Sequence, residues 1–290
     1  MGKCLVTKLD SIVDNNNLIK LGEAVATIDS TAGSKLILQT SGCKYYCEKA
    51  ISINNSTIPA NTIRDGSSID IIKSIDAGSY VFHFMDKYSL AEFVVDSLKE
   101  VSVSALNTFN YLNKLSRFSF ENVGLYFNLF DLKASKEMLN LSLVCKIVGK
   151  LSDLKECKKI ENLVLRAQTD LTGDLSDLAD KEKLKFLTLA MPLTGDLAIM
   201  PSNLNAFYYY EKGYSQIGWT TRDTNKCIIS IPSAIKIDNI DKMLQDQANC
   251  VVPSNVEVKA INVIGARTSA SDAAVATLQQ KGYTVSVTPA

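Results

Sequence analysis

Ile160-Glu-Asn-Leu-Val-Leu165 and Leu184-Lys-Phe-Leu-Thr-Leu189 share one spacing: apolar, two residues, apolar, one residue, apolar. Leu115/Phe118/Phe120, Met138/Leu141/Leu143 and Leu204/Phe207/Tyr209 repeat it. The pattern therefore restarts roughly every 20 to 24 residues, the interval of a repeat built from one strand and its return. Alternate residues of a strand point to one face, so Leu163 and Leu165 are expected inward and Val164 and Arg166 outward. Between the copies, Leu171-Thr-Gly-Asp-Leu175 and Leu193-Thr-Gly-Asp-Leu197 agree letter for letter, and Ile147-Val-Gly-Lys-Leu151 is a degenerate third. One such unit cannot bury its apolar face alone, whereas several stacked units build a continuous core. Leu154 to Leu165 also fits helical spacing, but a chance run of amphipathic helices does not account for five aligned copies.

The Leu-Thr-Gly runs, each followed two positions on by an apolar residue, resemble the long varieties of leucine-rich repeat. The resemblance covers about a third of the chain. It implies a short solenoid over residues 115–222. Before it, alternating segments such as Lys35–Thr40, Lys49–Ile53 and Ser79–Phe84, separated by Asp, Asn, Gly and Ser, predict a β-rich domain over residues 21–87. Residues 88–114 read as a helical junction: Leu90, Phe93, Val94, Ser97, Leu98 and Val101 recur at three and four residues behind Ser89 as N-cap, with Glu92 three residues on. After Tyr209 the period decays. Asp238–Ala248 and Ser269–Lys281 read as helices alternating with strands at Val256–Ile264 and Tyr283–Val287, an α/β cap over residues 223–290 whose strands pair in parallel. The expected fold is thus α+β with a solenoid: a β-rich domain, a leucine-rich-repeat module and an α/β end.

Lys+Arg and Asp+Glu both total 31 in the 290 residues, so the net charge is zero. With no basic field or polybasic run, nucleic acid is not an expected partner. No apolar segment is long enough to span a bilayer, so no membrane insertion is expected. Met1-Gly2 opens like an acylation signal, but Val6 stands where that pattern needs Ser or Thr. The seven cysteines are scattered, and Cys43 and Cys47 enclose three residues rather than the two of a zinc knuckle. Reduced, mostly buried thiols are expected. The single histidine, His83, sits in an alternating strand and reads as a packed residue, not a general base. Asp174, Asp177 and Asp180 are too sparse for a calcium loop and read as solvated loop acids. No nucleotide fingerprint, zinc signature or nucleophile elbow occurs, so neither an enzyme nor a cofactor is expected.

Binding remains. The outward positions form a ladder, Ser119/Glu121, Ser142/Val144, Val164/Arg166, Thr188/Ala190 and Tyr208/Tyr210, small and neutral in the middle and aromatic only at its last rung. Tyr208, Tyr210, Tyr214 and Trp219, with Arg166, are the candidate binding surface for a protein or glycan.

The opening stretch, Lys3-Cys-Leu-Val-Thr-Lys-Leu9 running on to Leu18–Gly22, is similar to the N-termini of virion proteins of crAss-like phages that infect Bacteroidales. That resemblance implies a non-enzymatic virion component, a head or tail appendage or fibre made in the host cytoplasm. Residues 1–20 would be its docking segment, and other virion proteins, together with copies of itself, its partners. Cys4, Leu5, Val6 and Leu9 are then the expected assembly residues, adding a strand to a neighbour. The final helix and strand resemble the last repeat units of Bacteroidales leucine-rich surface proteins. That implies the alternative, a bacterial surface adhesin or effector that binds a host surface protein or glycan.

Overall fold

A computed structural model describes residues 24–30, 36–53, 56–65, 72–74, 77–85, 89–104, 112–124, 126–166, 170–210, 216–252, 256 and 258–289. The docking segment 1–20, with Cys4, Leu5, Val6 and Leu9, and the candidate residue Tyr214 lie outside the described residues. The chain divides into two compact units, residues 1–125 and 126–290.

The first unit contains β1 (Ala24–Ser30), β2 (Leu36–Ser41), β3 (Tyr45–Cys47), β4 (Ile51–Ile53), β5 (Ser56–Ile58), β6 (Ile72–Ser74), β7 (Gly78–Phe84), β8 (Glu92–Ser104) and β9 (Arg117–Gly124). Strand β1 runs antiparallel to both β7 and β8, β3 is antiparallel to β7, and β2 to β8. Strands β4, β5 and β6 make a small antiparallel sheet of their own. Period-two alternation is visible in β7, where Tyr80, Phe82 and Phe84 are buried and Val81 and His83 are half-buried. The core is aromatic: Phe84 meets Phe93 edge-on at 5.3 Å between centroids, and Phe118 meets Phe120 likewise at 4.9 Å.

The helical junction expected over 88–114 is corrected here, because Glu92–Ser104 is a strand of 13 residues. Phe93, Val94 and Val95 are buried in succession. A strand covered on both faces reads as a continuous apolar run, which helical spacing fits by coincidence.

The second unit begins with β10 (Tyr126–Asn128), β11 (Asn140–Val144), β12 (Lys146–Lys150), β13 (Asn162–Arg166), β14 (Asp170–Asp174), β15 (Phe186–Leu189), β16 (Leu193–Thr194) and β17 (Ala206–Tyr209). Short 3-10 turns at Leu129–Leu132, Leu151–Leu154, Leu175–Leu178 and Leu197–Ile199 follow the even-numbered strands. Strands β11, β13, β15 and β17 pair in parallel, which aligns Leu141, Leu163, Leu187 and Phe207 in one row and Leu143, Leu165, Leu189 and Tyr209 in the next. Both rows are buried, while Val164 is half-buried and Arg166 exposed. A second parallel set, β10, β12, β14 and β16, lies along the turns. The chain ends with β18 (Ile231–Lys236), α1 (Ile240–Asn249), β19 (Ala260–Ile264), α2 (Asp272–Gln280) and β20 (Thr284–Thr288), the three strands parallel.

The fold class expected from the repeats, a leucine-rich-repeat solenoid, is therefore corrected. Among the described residues the protein is a mixed α/β, strand-rich fold built from several sheets. The first copy of the spacing, on β9, belongs to the first unit, where it pairs in parallel with β8 beside antiparallel neighbours. Apolar spacing specifies which residues face inward and which strands lie in register. It does not specify how many sheets the chain forms or where one unit stops.

The letter-for-letter Thr-Gly-Asp has a local cause. Asp174 and Asp196 cap the following 3-10 turns, accepting from the amides of Ser176 (2.9 Å) and Ala198 (2.8 Å). Each also accepts a hydroxyl from the next unit along: Thr194 donates to Asp174 at 2.6 Å, and Thr220 to Asp196. Gly195 has φ +98°, and a Cβ there would stand 2.6 Å from the Asp174 Oδ1. Asp177 turns back to the Asp174 amide, and Asp180 lies 3.7 Å from Lys158. At least two of the expected loop acids are thus turn fasteners.

The Thr194 hydroxyl, with Ser176, holds the Asp174 carboxyl below its ordinary range. The folded state then binds the proton less readily than the unfolded chain, so this contribution is present above the ordinary aspartate range and is lost as pH falls through the folded value. Asp174→Ala should lower stability at neutral pH by about 1 kcal/mol, and its thermal midpoint should fall less on acidification than that of the parent protein. Thermal melts recorded from neutral to acid pH check both.

Candidate interaction face

The outward rows of the β11–β13–β15–β17 ladder follow its register. Asn140 and Asn162 stack at one end, with the Asn162 amide donating to the Asn140 Oδ1 at 2.5 Å. Ser142, Val164, Thr188 and Tyr208 form the middle row. One step further lie Arg166, Ala190 and Tyr210, whose strands are tied by Ala190 N to Leu165 O and Tyr210 N to Leu189 O, both 3.0 Å.

Alanine at 190 leaves the space above β15 open. The Arg166 side chain crosses it and places its Cζ 4.7 Å from the centroid of the Tyr210 ring, a cation–π contact. Tyr208 and Tyr210, two apart on one strand edge, hold their rings within 7° of parallel at 6.5 Å between centroids. Tyr210 is 47% exposed. Arg166, Tyr208 and Tyr210 thus form one group on the outward side: a half-buried and an exposed phenol with near-parallel rings, and a guanidinium held by a ring face. Such a group offers stacking surface, hydroxyl donors and one cation to an amphipathic or anionic partner. It contains no nucleophile paired with a base.

Trp219 does not belong to this face, which corrects its assignment as a binding residue. It is 2% exposed, and its indole Nε1 donates to the Asp246 Oδ2 at 3.0 Å. Asp246, on α1, also accepts the Arg222 amide at 3.0 Å and pairs with Lys242. Burial alone would raise the Asp246 carboxyl, but Lys242, the Arg222 amide and the Trp219 indole together bring it below its ordinary range. Arg222 is equally buried, and its guanidinium donates to the carbonyls of Ala198, Met200 and Cys227. No sequence pattern singles out Arg222. Asp246, in contrast, sits among Met243, Leu244 and Gln247 on the buried side of α1, which is a visible signal of a carboxylate with a structural partner.

Elsewhere the chemistry is structural. His83 stacks on Tyr46 at 4.5 Å and places Nε2 2.8 Å from Glu48. Cys47, Cys145, Cys157, Cys227 and Cys250 are free thiols, and burial pushes those of Cys145 and Cys157 up to about 12 and about 11, far from a reactive thiolate. Lys181 is buried with its Nζ on the Leu154 carbonyl at 2.9 Å, and burial lowers its pKa. Among the described residues no group of three or more His, Cys, Asp or Glu is placed to hold a metal ion, and no helix is long and apolar enough to cross a membrane.

A scan against models of known protein families finds no match, and a search of the curated proteins finds none.

Trp219→Phe keeps the ring in place and removes the donor to Asp246. The carboxylate then stays buried with one partner fewer, at a cost of about 1–3 kcal/mol. Urea unfolding followed by circular dichroism should show that loss, while binding through the Arg166–Tyr210 face is unchanged below the unfolding transition.

Proposed function

We propose that this protein is a non-enzymatic interaction component of a phage virion, docked through its N-terminal region and presenting the Arg166–Tyr208–Tyr210 face to a protein or glycan on the host surface. The observation that carries the binding part is the assembly of that face from β13 and β17, bridged over Ala190 by a guanidinium resting on Tyr210. A prearranged pair of aromatic rings, Tyr210 exposed and Tyr208 half-buried, beside an arginine has the composition of an interface anchor, and little rotamer freedom is lost when a partner arrives. The virion part is supported by the resemblance of residues 1–20 to phage virion N-termini. Cys4, Leu5, Val6 and Leu9 are the residues that would pair with a neighbouring virion subunit.

The two parts separate experimentally. Fluorescently labelled full-length protein is mixed with Bacteroidales cells, and the bound fraction is read by flow cytometry. The parent binds, and Tyr208→Ser combined with Tyr210→Ser reduces binding about tenfold or more while the far-ultraviolet dichroism stays unchanged. Equal binding by the folded double variant overturns the role of the face. Deleting residues 1–20 abolishes incorporation into particles and leaves cell binding intact. Normal incorporation of the truncated chain overturns the docking assignment.

A further inference from the structure

Strand β20 is Thr284-Val-Ser-Val-Thr288, a sequence that reads the same in both directions. It pairs with β19 on one side and ends the three-stranded sheet. Other strand ends of the second unit are met by a further backbone segment: Asp196 bridges Gly218, Ala206 bridges Ser230, and Ile237, just past β18, bridges Ile217. At β20 the Thr284 amide donates to the Lys259 carbonyl and the Thr288 carbonyl accepts from Gly265. Alternation then turns the backbone groups of Thr284, Ser286 and Thr288 toward β19, and those of Val285 and Val287 away from it. Edge strands are usually guarded by charge, proline or a bulge within the strand, and β20 has none of these.

We propose that β20 pairs antiparallel with β20 of a second copy of this chain, about a two-fold axis through Ser286, to join the two C-terminal sheets into one. The palindrome makes the edge complementary to itself. Val285 faces the partner's Val287 and Val287 the partner's Val285, and at both positions the outward amides and carbonyls are exchanged. Thr284 lies across from Thr288, and Ser286 from its own copy. Threonine–threonine, valine–valine and serine–serine are neighbours that stabilise such a ladder, and no like charges meet. An isologous contact of this kind closes on itself at two copies.

Helix α2, which packs beside β20, fits the same arrangement. Ala273, Ala276 and Gln280 are exposed at helical spacing on one stripe, small or neutral enough to admit a second helix. The charged groups at its ends are already engaged: Asp272 pairs with Arg267 at 2.6 Å, and the Lys281 ammonium donates to the carbonyls of Ala248 and Cys250.

The full chain is examined by sedimentation velocity and native mass spectrometry at micromolar concentration, as parent protein, as Ser286→Lys, as Ser286→Glu and as an equal mixture of the two variants. Ser286 is exposed, so either side chain is accommodated in the monomer. The parent is dimeric. Each variant alone brings like charges together on the axis and is monomeric, and the mixture recovers a dimer containing one chain of each variant. A monomeric parent overturns the proposal even if a variant fails to fold. Variants that remain dimeric place the contact elsewhere and overturn it, as does a mixture that stays monomeric. Because β20 is far in sequence from residues 1–20 and from Tyr210, none of these outcomes depends on the cell-binding experiment.

Discussion

Burial of two adjacent rows, Leu141–Leu163–Leu187–Phe207 and Leu143–Leu165–Leu189–Tyr209, is the constraint from which the second unit follows. Each leucine so buried contributes about 1.5–3 kcal/mol relative to exposure, and the observed parallel register keeps both rows on one side. A slip of one residue would turn every leucine outward and every polar neighbour inward. The outward face is a by-product of the same constraint. Its positions are free to vary because the inward ones are not, and Arg166, Ala190 and Tyr210 occupy them without disturbing a buried contact.

Much of that ladder was legible. The five-fold spacing named the inward residues one by one, and the C-terminal order of strand, helix and strand placed α1, α2 and β20 to within a few residues. What spacing could not carry was architecture. Phe118 and Phe120 obey the same rule as Leu163 and Leu165, yet their strand pairs with β8 in the first unit. Strand β8 itself mimics a helix in sequence because successive Phe93, Val94 and Val95 are all buried, which removes the alternation that distinguishes a strand.

The face was half legible for a related reason. Tyr208 and Tyr210 stand out as outward positions on an aromatic rung, and Arg166 as the charge on the rung two units earlier. Trp219 shared their neighbourhood in sequence, but aromatic density does not distinguish a surface cluster from a core one. Its fate is settled by Asp246, 27 residues away, through a hydrogen bond that no local pattern encodes. Lys181 and Arg222 teach the same point: long cationic side chains are tolerated inside because backbone carbonyls left over at turns accept hydrogen bonds from their N–H groups.

The aspartate–threonine fasteners have a direction. Asp174 and Asp196 each reach their own turn and are clasped from the C-terminal side, so the two fasteners point the same way along the chain, like the pawls of a ratchet. Thr220, which no longer belongs to the repeating text, closes the second pawl on Asp196. The join between the periodic and aperiodic parts of the chain is therefore made with the same chemical latch as the Asp174–Thr194 join before it, and a chain that gained or lost one whole unit upstream would still find its final latch in place.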